Sequence, residues 1–397
     1  MSSDYQAVGG YTAALEKQQK SRRRSRLIVI LSVLALIILI AVGVVVGVLV
    51  SKNNSKEKSG GTKGSSTTGG SNVPGTDPSG DPSVFPKDER LHQSFYGFAY
   101  TPEGSLPDYG CGILLPNVIR DIQLLSQLTR RIRLYGSDCN QTAMVLEAIK
   151  QTKVDMEVFV GNYVVEGDES AYLRQRDVIK EVIETYGTKN IAGVTVGNEF
   201  MLNYVTGRDS LDANGPIGNQ GAAVLKPNID DTIQMLRDMN LDKHIPVGNS
   251  DAGSFFNTQI LQSVEYGLSN VHAWFANTTA QDAATWVNNF FDEQNVRPAA
   301  LLPNKPRMYL AETGWPTDSK DAGNKNNGAA DASVENLQLF IDAFVCQANA
   351  AGVGYFFFEF SDEEWKDVKY GGVEGHWGVF NKDRTLKDLV IPDCVSP

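Results

Sequence analysis

Ile191-Ala192-Gly193-Val194-Thr195-Val196-Gly197-Asn198-Glu199 is an apolar, β-prone run that stops abruptly at an amide and a carboxylate. A second run of this kind, Met308-Tyr309-Leu310-Ala311, delivers Glu312 and then Thr313-Gly314-Trp315-Pro316. Working outward, six further runs share the pattern: Phe95–Ala99, Arg131–Tyr135, Met156–Val160, Ile245–Gly248, Val271–Phe275 and Gly354–Phe358. Amphipathic stretches such as Asn117–Leu128, Asp177–Thr185 and Ser333–Ala350 lie between them. Eight strands in about 300 residues give roughly 38 per repeat, the size of a strand–helix unit. Alternating β and α elements imply a parallel sheet, and eight such units predict a closed (β/α)8 TIM barrel over residues 93–397. An open doubly wound sheet is the rival. Its nucleotide-binding forms lose support because no GxGxxG or GxxxxGK[ST] follows any of the runs.

In such a barrel the active site forms where strands end and βα loops begin. A charge just beyond an apolar strand is expensive unless used, because burying it unpaired costs several kcal/mol. Glu199 and Glu312 end the fourth and seventh runs, which lie across the barrel mouth from one another. Two opposed carboxyls are what glycoside hydrolysis requires. One protonates the leaving oxygen, and the other attacks the anomeric carbon or activates water. A single strand-end Glu is more often a structural ion-pair partner. Asn198 directly before one acid and Gly314-Trp315-Pro316 directly after the other favour the functional reading.

These residues resemble glycoside hydrolase family 17, the β-1,3-glucanases. Val196-Gly197-Asn198-Glu199 is similar to the family's acid/base motif, and Glu312-Thr313-Gly314-Trp315-Pro316 to its nucleophile motif. The resemblance runs from Tyr96-Gly97-Phe98-Ala99-Tyr100-Thr101-Pro102, through Arg131-Ile132-Arg133-Leu134-Tyr135-Gly136, to Trp377-Gly378-Val379-Phe380, about three quarters of the chain. It implies that Glu199 is the general acid/base and Glu312 the nucleophile of a retaining double displacement. It further implies that Asn198 reaches the sugar 2-hydroxyl and that Tyr135 stands near the nucleophile.

Fungal wall-associated members have a segment similar to Phe356–Lys366, with Pro where Glu364 stands and Phe where Ser361 stands. On that resemblance Glu359 is expected in the cleft as a substrate-contacting or pKa-tuning acid. Trp274, Trp315, Trp365 and Trp377 are candidate stacking platforms, because sugar C–H faces pack on aromatic rings. Trp286 reads as packing, and His272 could face the pocket.

The 397 residues carry 36 basic and 47 acidic side chains, a net charge of −11, with 42% apolar residues. That apolar share excludes a wholly disordered chain, and the acidic balance argues against nucleic acid as a partner. The charge is divided unevenly, with +6 over residues 1–58 and −17 over the rest. Residues 27–50 are 24 uncharged residues, about 36 Å as a helix, enough to cross a hydrocarbon core of about 30 Å. The run exceeds a signal-peptide core and begins only after 26 mostly polar residues. Arg22-Arg23-Arg24-Ser25-Arg26 flanks its N-terminal side, so residues 1–26 are expected in the cytoplasm and the body outside.

Residues 51–92, rich in Gly, Ser and Pro, read as a flexible stalk with a reach of order 35 Å. All four cysteines lie beyond it, and an even count on the outer side suggests two disulfides. Three pairings are open, and Cys111–Cys139 with Cys346–Cys394 is preferred because it joins near neighbours. No Cys/His cluster suggests a metal, and no cofactor is implied. The expected protein is a type II membrane-anchored enzyme acting on cell-wall β-1,3-glucan, by hydrolysis or by transfer to another sugar. The reading from another class, an inactive glucan-binding tether, is opposed by retention of both glutamates.

Overall fold

The protein is described by a computed structural model over residues 80–397. Eight parallel strands close into a barrel: β1 Gly97–Ala99, β2 Arg131–Arg133, β3 Glu157–Asn162, β4 Ile191–Asn198, β5 Val247–Ala252, β6 Tyr266–Asn270, β7 Arg307–Thr313 and β8 Tyr355–Phe357. Each pairs with its sequence neighbours, and β1 closes the ring on β8. Outside run α1 Leu115–Leu125, α2 Gln141–Thr152, α3 Glu169–Tyr186, α4 Phe200–Thr206, α5 Pro216–Asp238, α6 Ala280–Phe291, α7 Val334–Ala350 and α8 Glu364–Lys369. The β5–β6 crossover holds only the single turn Thr258–Leu261. Local chemistry sets helix ends. The Asp168 side chain accepts the Ala171 N–H at 3.1 Å to start α3, and Ser333 accepts the Asn336 N–H at 3.1 Å to start α7.

The barrel interior is plugged by aromatic rings. Phe159 meets Tyr266, Tyr309 and Phe356 at centroid distances of 5.5, 5.8 and 5.1 Å. Glycines on the strands make room for them. A Cβ at Gly248 would stand 2.2 Å from the Tyr266 ring, and one at Gly193 would stand 2.8 Å from its hydroxyl. That hydroxyl is satisfied at 2.8 Å by Thr195 Oγ1, so the plug buries no unpaired polar atom at that point.

Seven expected strands overlap the observed ones. The sixth does not: β6 is Tyr266–Asn270, and the expected Val271–Phe275 instead begins the loop, with a 3-10 turn over Ala273–Ala276. Ser269 and Asn270 disguise β6, because at the barrel mouth polar side chains replace apolar ones. The expected segments 1–26 and 27–50, and the stalk up to residue 79, lie outside the described residues. Among the described residues no helix is long and apolar enough to cross a membrane.

Residues 80–92, expected as stalk, are held on the barrel. Gln123 Nε2 donates to the Pro82 carbonyl at 2.9 Å, the Asp88 N–H donates to Gln127 Oε1 at 2.8 Å, and Leu91 is buried. Gln123 and Gln127 mark the C-terminal end of α1, at the closed pole of the barrel. The disulfides are Cys111–Cys139 and Cys346–Cys394, with Cα–Cα distances of 5.1 and 5.9 Å. The first staples the β1 loop to the β2 loop at the mouth, and the second ties α7 to the C-terminal tail.

The tail is also fixed by a charge. Asp121 of α1 accepts from Tyr100 Oη at 2.8 Å and from Arg384 Nε at 2.5 Å, with Asp121 and Tyr100 buried and Arg384 partly so. Asp121→Ala leaves the Arg384 guanidinium with Glu103 alone, at 3.5 Å, and orphans the buried Tyr100 hydroxyl, so it should destabilise by about 1–3 kcal/mol. Urea unfolding followed by tryptophan fluorescence measures this, and a loss under about 1 kcal/mol would show that the bridge is not needed.

Candidate active site

The C-terminal mouth carries a layer of polar side chains above the aromatic plug. Register puts them level: Asn198 of β4 pairs with Ser250 of β5, and Asn270 of β6 pairs with Glu312 of β7. At the centre is Arg133 of β2, only 1% exposed. Its Nη1 donates to Glu312 Oε1 at 2.9 Å and to the Ala311 carbonyl at 3.2 Å. Its Nη2 donates to Asn198 Oδ1 at 2.6 Å and to Ser250 Oγ at 2.7 Å. The guanidinium lies 4.4 Å above the Tyr135 ring.

Arginine can only donate, so Asn198 must present its oxygen to it. Ser250 Oγ donates to that same oxygen at 3.0 Å. The Asn198 Nδ2 is therefore left for a ligand. His272, on the loop after β6, places Nε2 3.1 Å from Glu312 Oε2, and the bond requires the proton on that nitrogen. Glu199 follows β4, and its Oε1 accepts from Asn270 Nδ2 at 2.9 Å.

The two acids are biased in opposite directions. Burial pushes the Glu199 carboxyl up, and the nearby charge of Glu312 adds to this, against a smaller pull from the Asn270 hydrogen bond. Burial pushes Glu312 up too, but the His272 hydrogen bond and the Arg133 charge outweigh it and lower the carboxyl to about 2. One group thus favours its protonated form and the other its ionised form, the pairing that acid and nucleophile chemistry needs.

Of the remaining expected residues, Tyr135 stands close to Glu312, whereas Glu359 and three of the tryptophans are buried away from a substrate. Tyr135 sits beneath Arg133 with its hydroxyl buried, and burial and the Glu312 charge push that hydroxyl well up. Glu359, after β8, is 1% exposed and bonds Lys366 Nζ at 2.6 Å, so it supports the pocket wall and presents no face to a substrate. Burial works against the Lys366 ammonium, but the charges of Glu359 and Glu363 outweigh it and hold the proton above the ordinary range.

Trp274 and Trp315 are not platforms. Both are fully enclosed, packed edge to face at 5.6 Å and covered by the loop around Asn327 and Asp331. Trp377 is buried against His272 at 4.9 Å. Only Trp365 keeps an open edge, between Tyr109 and Tyr370 at 6.2 and 6.0 Å.

Sequence reasoning assigned no role to Arg133, Ser250, Asp251, Asn270, Lys366 or Glu374. The signal for Arg133 was present, since a charge inside the short strand Arg131-Ile132-Arg133 has to face either solvent or a partner. Half-buried Glu374 lies within electrostatic reach of His272, Lys366 and Glu312, and burial pushes its carboxyl up. Among the described residues no His/Cys/Asp/Glu group is arranged to hold a metal ion.

The fold matches solved structures of a β-1,3-glucanosyltransferase from Rhizomucor miehei, with a TM-score of 0.60, 22% identity, and coverage of 76% of this chain and 99% of that one. An endo-laminarinase from Formosa matches with a TM-score of 0.57 and 17% identity over 74% of this chain and 85% of that one. In sequence, the probable glucan endo-1,3-beta-glucosidase btgC of Aspergillus flavus is 34% identical over 319 residues, 77% of this chain and 44% of that protein. The putative enzyme of the same name from Aspergillus niger is 35% identical over 323 residues, 77% and 45% respectively. The chain thus spans less than half the length of the curated relatives it matches. The family model for the BtgE/BtgC glycoside hydrolase domain matches residues 97–378, which contain both glutamates and every strand of the barrel. The chain belongs to that glycoside hydrolase family, as its likeness to the family 17 motifs implied.

Proposed function

We propose that the chain is a retaining glycoside hydrolase acting on β-1,3-glucan. The observation that carries this is the opposed bias of two carboxyls at facing strand ends, Glu199 towards the acid and Glu312 towards the carboxylate. The substrate class comes from the relatives, whose names describe glucan endo-1,3-beta-glucosidases. In the first step Glu312 forms a bond to the anomeric carbon, the glycosidic C–O bond breaks, and the Glu199 proton passes to the leaving oxygen. Glu199, now ionised, then takes a proton from water as that water displaces Glu312 from the sugar. A sugar hydroxyl in place of water would give transfer. Asn198 Nδ2 is the donor available for the 2-hydroxyl, a contact that strengthens in the transition state. Half-buried Trp365 and the exposed Tyr109 and Tyr370 form an aromatic rim that offers stacking faces to a glucan strand.

The site chemistry has direct consequences. Glu312→Ala should give no measurable turnover of laminari-oligosaccharides and no trapped adduct with a fluorinated glucoside. Glu199→Gln should lower kcat on those substrates about 10²–10⁴-fold. For the wild type, kcat/KM should fall on the acid side only as Glu312 protonates near pH 2. It should fall on the alkaline side above glutamate's ordinary value, because a raised Glu199 keeps its proton to higher pH. The alkaline limb should vanish in Glu199→Gln, and full activity in Glu312→Ala would end the assignment. Mass spectrometry of the products then separates the outcomes, with shorter chains alone meaning hydrolysis and elongated chains meaning transfer.

We also propose that residues 27–50 anchor the protein as a single pass, with residues 1–26 cytoplasmic and the barrel outside, facing the wall. Two disulfides in the body support an oxidising side. Protease added to intact cells stripped of wall should remove the barrel and leave an N-terminal tag protected. Extraction by alkaline carbonate, or digestion of that tag, would overturn the topology.

A further inference from the structure

Glu199 has φ 53°, the left-handed region, which a residue bearing a Cβ enters at a cost of about 1 kcal/mol or more. The strained backbone must be held from outside. Its own N–H donates to the Ser250 carbonyl at 3.1 Å. The next residue starts α4, and the Glu199 side chain gives that helix no cap. Asp251, across the β4–β5 seam, does so instead. Its Oδ2 accepts the Met201 N–H at 2.7 Å, and its Oδ1 accepts the Leu202 N–H at 3.1 Å and the Ala252 N–H at 2.9 Å.

Asp251 is fully buried, and its oxygens bond backbone N–H groups alone. A neutral Ser or Asn serves ordinary helix caps, and a buried carboxylate without a cation is expensive. What distinguishes this position is geometry. Both carboxylate oxygens are used, and together they span from β5 to the first turn of α4. The rigid link leaves the preceding residue, Glu199, one backbone path. Ser250 and Asp251 thus fasten the acid/base loop on both sides of Glu199.

We propose that Asp251 is a positioning residue that fixes the direction of the Glu199 carboxyl and so sets the efficiency of proton transfer. The proposal rests on the reading of Glu199 as the general acid/base. Asp251→Asn keeps the shape but turns an N–H donor towards a backbone N–H, loosening the α4 start. It should lower kcat on laminari-oligosaccharides about 10- to 100-fold, within the range open to proton transfer, with little change in KM. An activated aryl β-laminaribioside assayed with azide needs neither the proton nor the base, and there the loss should stay below about threefold. In a Glu199→Gln background the same substitution should have almost no further effect, because the two act as a unit.

A merely structural role predicts equal losses on both substrates and additivity with Glu199→Gln, and either result overturns the proposal. Should Asp251→Asn fail to fold, amide exchange in the wild type decides. The Leu202 N–H, near the start of a seven-residue rim helix, should exchange as slowly as the β4 and β5 amides, and fast exchange would refute the clamp. A wild type inactive on β-1,3-glucan would instead remove the proposed function itself, separately from any result at residue 251.

Discussion

A guanidinium locked in the barrel axis, with one carboxylate to balance it, organises everything above the aromatic plug. Arg133 is cut off from water, so its charge is tolerable only because Glu312 accepts from it and because Asn198, Ser250 and the Ala311 carbonyl take further donors. Those partners lie towards the mouth-side ends of three strands, β4, β5 and β7. The same cation that needs Glu312 for its own burial keeps Glu312 ionised, and it also fixes which way the Asn198 amide faces. A lysine could not replace it, since a single ammonium cannot reach a carboxylate, an amide, a hydroxyl and a carbonyl in one plane.

From that centre the difference between the two glutamates follows without further devices. Glu312 bonds Arg133 and His272 directly, whereas Glu199 bonds a neutral amide and feels those two groups only at a distance, against the field of Glu312. Equal burial would push both carboxyls the same way, and unequal partners separate them. The layering below is equally economical. Glycines at strand positions admit large rings, the rings exclude water from beneath, and the polar layer rests on a low-dielectric floor that strengthens each interaction within it.

Seven strands and the two glutamates at strand ends were legible because parallel strands buried on two faces are apolar throughout, and a charge at their end stands out. The sixth strand was not, since its mouth-facing half is Ser269-Asn270 and its apolar sequel belongs to a loop. The tryptophans misled for a related reason. Trp315 follows the nucleophile motif directly, yet the loop carrying Asp331 folds back and closes over it, a contact separated by 16 residues that no local pattern encodes. Asp251 and Asn270 read as ordinary strand-end polar residues, and only register, which aligns Asn198 with Ser250 and Asn270 with Glu312, reveals what they hold.

The placement of residues 80–92 carries a last consequence. They dock where α1 ends, and at the same pole the Pro397 carbonyl accepts from Arg131 at the start of β2. Both termini of the described body therefore gather at the pole opposite the polar mouth. A protein grasped by that pole presents its reactive surface outward, like a tool held by its handle. The mouth that holds Glu199 and Glu312 is thereby left clear of the chain that enters the body at residue 80.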